Sequence, residues 1–398
     1  MSKMGVGMAV AVAFLTITGS AFAQDATPLL LRSISGTAAN PAGDELRPNR
    51  VAPSTWTFIG DGSAFATFVT ETGPENSSNQ FFSTNWATLG VHRTIGNRGE
   101  LLVRGRFTAE PYTVPREGFP QLLQYVSPRS GGRPDVDRMR AHDLVEELAV
   151  AAAVRIADGT FLQLYAAPVG DPALGPVPYA QRSSSRDFAE APFAYDVQEP
   201  FHVASRVITA GIASSFLSLE ASTYRETAST GRHTTIESDG IDSWSGRVTL
   251  TPSARTSIQL SQSRRKSGFP ERKITSGSLS YSGKVFLTSL LWTRDETAGA
   301  TFTAEGFETT IRLGRGTLLG RAERVDRPTG VFVSFDPLAP IQRSSHVTIG
   351  YIFDLMKTSN YRVGIGANAD YHTQSHELEG GYGHKPQSVY AFVRVRTD

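Results

Sequence analysis

The 398-residue sequence predicts an all-β fold, a single closed antiparallel transmembrane β-barrel of about 16 strands (roughly 14 to 18 by its turns). Three observations predict it. From residue 55 onward the apolar residues recur with period two rather than with the 3.6-residue period of a helix. Short turn signals alternate down the chain with long polar connections. Beyond the N-terminus, no apolar run approaches the roughly 18 residues a spanning helix needs.

At the N-terminus, Lys3 stands before an apolar stretch from Gly5 to Gly19, and Ala21-Phe22-Ala23 supplies small residues ahead of Gln24. This predicts a secretory signal over residues 1–23, cleaved near Ala23, and a mature chain bound for the bacterial outer membrane. Residues 24–54 lack periodicity and carry small residues and prolines, so a flexible N-terminal segment, periplasmic or lumenal, is expected there. Residues 55–398 form the barrel.

Within it, Tyr361 to Tyr371 sets Tyr, Val, Ile, Ala, Ala and Tyr on one face against Arg, Gly, Gly, Asn and Asp on the other. An aromatic at each end of an apolar face suits a strand whose ends lie at two membrane interfaces. Val347, Ile349, Tyr351, Phe353 and Leu355 repeat the pattern, and Val389, Ala391, Val393 and Val395 alternate with Tyr390, Phe392, Arg394 and Arg396. Charges on one face of such strands require that face to meet water or a polar lumen.

Turn signals fall at Asn97-Arg98-Gly99, Asp158-Gly159, Ser214-Ser215, Pro252-Ser253, Gly283-Lys284, Gly314-Arg315-Gly316 and Ser359-Asn360. Longer connections are expected near residues 73–80, 112–141, 171–198, 227–241, 265–270, 295–300, 327–341 and 373–386. Short periplasmic turns and long outer loops are the asymmetry of outer-membrane barrels.

Cysteine is absent and the formal net charge is +1, so composition points neither to a disulfide framework nor to nucleic acid. Of the basic residues only six are Lys and 33 are Arg. Arginine's planar fork of donors suits a crowded polar interior or anionic headgroups.

The segment Ala166 to Tyr179 (AAPVGDPALGPVPY), with Gly118 to Gln124, Gly132 to Asp143 and Asp242 to Arg247, resembles an uncharacterised family of predicted bacterial outer-membrane barrel proteins. The resemblance covers residues 65–260. It implies a barrel and carries no activity or substrate. This chain has Arg140-Ala141-His142-Asp143 where the family tends to a His-Pro-His-Asp run, and Ala180-Gln181 where it carries Met-His, so no metal role follows from the resemblance.

Three groups of residues invite a functional reading. The 171–198 connection is long enough to fold inward and narrow a pore. Its Arg182, Arg186, Asp187 and Glu190 are then set against Arg129, Arg133, Asp135, Asp137 and Arg138 of the other long loop, as opposed charges in a constriction. Solvated loop charges are the alternative. His372, His376 and His384, with Glu377 and Glu379, are weak metal candidates, since a strand running into a Gly-rich loop does not give helical His-x3-His spacing. His142, followed by Asp143, reads as a lumen or loop hydrogen-bonding residue at a strand start. No Gly-x-Ser-x-Gly nucleophile motif or phosphate-binding loop occurs, so neither an enzyme nor a cofactor is expected.

The expected function is passive diffusion of small polar or ionic solutes through a porin-like channel. A plugged, non-conducting barrel with a structural or metal- or ligand-binding role is the alternative, and an outer-membrane hydrolase the third. The expected partners are outer-membrane lipid, the barrel assembly machinery and small solutes, and not nucleic acid.

Overall fold

Alternation of large apolar residues with small or polar ones gives each strand two unlike faces, and only a closed sheet can hide one from lipid while pairing every backbone group. A computed structural model describes residues 27–43, 49–52, 55–72, 78–126, 135–200, 203–226, 240–265, 271–297, 299–328, 330, 332 and 340–398. The signal expected at residues 1–23 lies outside them. The strands are β1 (Asn49–Val51), β2 (Trp56–Thr72), β3 (Ser78–Phe82), β4 (Asn85–Ile95), β5 (Gly99–Phe107), β6 (Phe119–Val126) and β7 (Asp135–Met139). They continue as β8 (Val145–Ala157), β9 (Thr160–Gly170), β10 (Ala204–Ala213), β11 (Leu217–Arg225), β12 (Ser243–Ser253), β13 (Thr256–Arg265) and β14 (Arg272–Ser282). The last are β15 (Phe286–Thr297), β16 (Ala300–Leu313), β17 (Gly316–Pro328), β18 (Ile341–Lys357), β19 (Tyr361–Thr373) and β20 (Gln387–Thr397).

The wall is a closed antiparallel barrel of 16 strands. β3 and β4 together occupy one position beside β2, pairing with its Thr67–Glu71 and Trp56–Ala64 portions in turn. The barrel closes where β20 pairs with β2, Arg396 opposite Ser63 and Gln387 opposite Thr72. Below that seam β1 continues the line of β20 by pairing with Phe58, Ile59 and Gly60. β6 and β7 pair only with each other, as a separate two-stranded sheet that is not part of the wall.

Seven turns of two or three residues close one end, at 96–98, 158–159, 214–216, 254–255, 283–285, 314–315 and 358–360. The turn expected at Pro252-Ser253 falls at Ala254-Arg255, because β12 runs through Ser253. The connection expected at 295–300 shrinks to residues 298–299, because Thr297 and Ala300 still pair across β15 and β16.

The outward face carries Phe58, Phe68, Leu89, Val150, Leu164, Ile208, Leu260, Leu290, Ile349 and Val393 exposed, an apolar belt suited to lipid. Tyr361 and Tyr371, at the two ends of β19, also point outward, as do Trp244 and Trp292. Ile349 stands at the middle of β18 and is 62% exposed. Replacing it with arginine is expected to cost about 2–4 kcal/mol if it sits at the bilayer midplane. Unfolding of the refolded protein in lipid vesicles measures that loss.

Candidate functional site

The inner face is charged, and its charges are matched. β5 contributes Arg104 and Arg106, two apart and so on one face, and β8 contributes the consecutive Glu146 and Glu147, both turned inward where the β5–β8 register shifts by one residue between Arg106 and Phe107. Arg104 Nε donates to Glu147 at 2.8 Å, and Arg106 Nε to Glu146 at 2.8 Å. Arg106 also reaches Asp171 at 3.1 Å, where the long connection leaves β9.

Part of the 24–54 segment lies in this lumen. The backbone N–H groups of Leu29 and Leu30 donate to Glu100 at 3.0 and 2.9 Å, and that of Gly36 to Glu147 at 3.1 Å. Arg104 donates in turn to the carbonyls of Ser33 and Gly36, at 2.8 and 2.7 Å. Gly36 has φ +53°, and a Cβ there would stand 2.5 Å from the Asp171 carbonyl, so only glycine fits. A segment without periodicity thus finds its hydrogen bonds on wall carboxylates and arginines rather than in a ladder.

The 171–200 connection folds into the barrel, and no residue of it is exposed. Its charges meet the wall one by one. Arg182 donates to Glu308 of β16 at 2.9 Å and to Glu199 at 2.6 Å. Arg186 pairs with Asp61 of β2 at 3.1 Å. Asp187 accepts from Arg394 and lies 2.9 Å from the Arg396 guanidinium, both on β20. Glu190 accepts from Asn368 of β19 at 2.7 Å and lies 3.7 Å from Arg321 of β17, whose guanidinium stacks over Phe188 at 4.0 Å. Residues 186 and 187 therefore grip both sides of the β2–β20 seam. Burial raises the Asp187 carboxyl, but Arg394 and Arg396 outweigh it and hold the group well below the usual carboxylate range.

The other long loop is tucked against this one. Gln121 and Gln124 donate to the carbonyls of Ala191 and Phe193, at 2.9 and 2.5 Å. Asp137 is buried, accepting from the Leu123 N–H at 2.7 Å and from the Tyr382 hydroxyl at 3.1 Å. Leu123 and Asp137 both have positive φ, 58° and 56°, a conformation tolerated where surrounding contacts fix it. Arg138 donates to Gln80 at 2.7 Å, and Asp135 is exposed. Arg129 and Arg133 lie outside the described residues. The structure thus gives Arg182, Arg186, Asp187 and Glu190 partners on the wall, and Arg182 also Glu199 of its own loop.

His142 stands just before β8, its Nδ1 at 2.8 Å from Glu110 and its Nε2 at 3.1 Å from the Tyr195 hydroxyl. Burial lowers its pKa, but Glu110 and Glu146 outweigh that and raise it to about 9. His376 and His384 are exposed and share the Glu379 carboxylate, at 2.8 and 3.2 Å. His372 is buried elsewhere, stacked on His346 with ring centres 4.6 Å apart. His346 escapes a reading by motif because its strand neighbour across the sheet, not its sequence neighbour, completes the group.

A cavity of about 200 Å³ remains between residues 27–42 and the β10–β14 wall. Ser214, Ser215 and Ala254 line it, so it lies towards the short-turn end. It exists on this side because the inward residues here are small, among them Ser218, Ser257, Ser278 and Ser280. Four arginines (Arg32, Arg50, Arg182 and Arg247) line it against one carboxylate, Glu220.

A closed antiparallel wall, an apolar outer belt and a long connection folded into the lumen define a porin-type barrel. The structure is similar to OmpF of Salmonella typhi in complex with daunomycin, with TM-score 0.54 and 8% identity over 87% of this chain and 100% of that one. It is similar to an anion-selective porin from Comamonas acidovorans, with TM-score 0.51 and 12% identity over 86% and 99% of the two chains. A loop-deletion form of OmpT, an outer membrane protein of Vibrio cholerae, matches with TM-score 0.50 and 10% identity over 86% and 100%. No protein-family model matches the sequence, and no curated protein does. At these identities the likeness is one of fold.

Asp187→Ala leaves two buried guanidinium groups short of a partner. The expected loss is about 3–5 kcal/mol, read from urea unfolding of the refolded protein, with faster proteolysis within residues 171–200. The pH dependence follows from His142, whose folded pKa lies above its unfolded value of about 6.5. Its contribution is complete below that value and is lost as pH rises through about 9. Proteolysis of the 171–200 connection should accelerate over that window, and His142→Gln should remove the acceleration.

Proposed function

We propose that this protein is a constricted outer-membrane channel that passes small anionic or polar solutes by passive diffusion. The observation that carries the reading is the cavity lined by four arginines and one glutamate beside a wall of serine hydroxyls. Guanidinium groups in a narrow, water-filled space attract anions and replace part of their hydration shell, while hydroxyls serve as neutral donors and acceptors. Arg182, Arg186, Asp187 and Glu190 take the role of constriction residues by fixing the inward connection to the wall. The apolar belt suits a lipid surround, and the porin-type fold supports the outer membrane as its location.

A second reading has an observation of its own. No residue of the 171–200 connection is exposed, and residues 27–43 lie beside it in the lumen. Both favour a plugged barrel with a structural or binding role. Single-channel recording of the refolded mature protein in a planar bilayer separates the two. Small conductance steps are expected, with a reversal potential in a salt gradient on the anion side. Arg32→Ala with Arg50→Ala should move that potential towards cations. A folded, heat-modifiable barrel that never conducts would transfer the function to the plugged reading.

A further inference from the structure

On the inner wall, His346 of β18 stands directly across from His372 of β19 in the ladder, and Asp370 lies one inward position along β19. All three side chains are buried, at 1%, 2% and 1% exposure. One ligand atom from each, two imidazole nitrogens and a carboxylate oxygen, lies within 4.8 Å of the others. This grouping comes from strand register alone, since residues opposite one another, or two apart along a strand, share a face.

The hydrogen-bond pattern around the three residues is uneven. His346 Nδ1 lies 3.2 Å from Glu323, and its Nε2 lies 3.2 Å from Asp370. Neither ring nitrogen of His372 has a hydrogen-bond partner, and the Asp370 carboxylate has no hydrogen bond beyond the 3.2 Å approach of His346 Nε2 to its Oδ2. Buried polar atoms in a folded protein are as a rule paired. Here both ring nitrogens of one histidine and the Oδ1 of one aspartate, in reach of each other, are unpaired. Farther along the same face, Asn368 Oδ1 and Glu190 Oε1 are also without a hydrogen bond.

We propose that His346, Asp370 and His372 form a binding site for one divalent transition-metal ion of zinc-like ligand preference. Two imidazoles and a carboxylate are a donor set that suits such an ion, with bonds of about 2.0–2.2 Å. At that bond length the donors of a tetrahedral site stand about 3.4 Å apart, so rotation of the stacked rings closes the site around the ion. Glu323 is the outer partner: accepting a hydrogen bond from the His346 Nδ1–H leaves the Nε2 lone pair facing the ion. The same carboxylate accepts the Phe193 and Ala194 N–H groups at 2.8 and 3.1 Å. The Phe193 ring stands 5.2 and 5.3 Å from the two imidazoles, which places the ion beneath the inward connection. This site is independent of whether the barrel conducts. Its competitor for the same ion is the exposed group of His376, His384 and Glu379.

The test uses the full mature chain, stripped with a chelator and refolded in detergent with ZnCl2, then freed of loose ion by gel filtration. One equivalent of zinc is expected to remain bound. His372→Ala and Asp370→Asn should each lower the affinity by at least about tenfold, and Glu323→Gln by about 10–100-fold. The His376→Ala/His384→Ala double variant should keep the full equivalent. The heat-dependent shift in gel mobility checks that each variant is folded, and His372→Gln replaces any that is not. Cobalt in place of zinc gives a second readout, visible ligand-field bands that His372→Gln abolishes. Zinc retention no greater than that of a folded His346→Gln/His372→Gln variant would overturn the proposal. So would loss of the ion in the His376/His384 double variant alone.

Discussion

The pairing of β20 with β2 is the contact on which the rest of the molecule depends. In hydrocarbon an unpaired peptide group costs several kcal/mol, so a sheet with two free edges has no stable place in a membrane. Ten residues of β20, Gln387 to Arg396, close that edge against Ser63–Thr72. The seam is fixed from within as well, because Arg186 reaches Asp61 on one side and Asp187 reaches Arg394 and Arg396 on the other. The connection that fills the lumen thus also ties the first wall strand to the last.

Closure at 16 strands encloses a space too wide for wall side chains alone to fill. On the β16–β20 side the space is taken by residues 171–200, whose charges pair with Glu308, Arg321, Asn368 and Arg394. On the β5 and β8 side it is taken by residues 27–43, anchored on Glu100, Arg104 and Glu147. The inward face can carry arginines and carboxylates where an opposite charge or a backbone group is in reach; a lone buried ion there would be strongly destabilising. Where the wall turns to serine, along β12–β14, there is less to pair with, and there the cavity remains.

Much of the wall was legible from local pattern. The face carrying Tyr361, Val363, Ile365, Ala367, Ala369 and Tyr371 was readable as outward because the side-chain period of a strand is two. The turns at Gly314-Arg315 and Ser359-Asn360 were readable from their residue types. The Pro252-Ser253 signal was displaced by about one turn's length because antiparallel pairing held Ser253 in the strand. The inward course of the 171–198 connection was readable from its length. Its partners were not, since Arg182 and Glu308 lie 126 residues apart. The three histidines near the C-terminus looked like one cluster, yet His372 points into the lumen while His376 and His384 stay outside. A change of structure from strand to loop between residues 373 and 376 separates them.

By itself, then, the sequence determined the class of the fold, the face each strand turns to lipid, the rhythm of short and long connections, and which loop is long enough to enter the barrel. These are local properties, set by side-chain period, turn chemistry and composition within about ten residues. The tertiary structure alone decided the charge pairs of the lumen, the position of residues 27–43, the arginine-lined cavity and the juxtaposition of His346 with Asp370 and His372. Those depend on strand register and on closure. Both are fixed by the sum of all sixteen strand pairings rather than by any one segment, and a shift of one residue in register would turn each of these side chains to the other face.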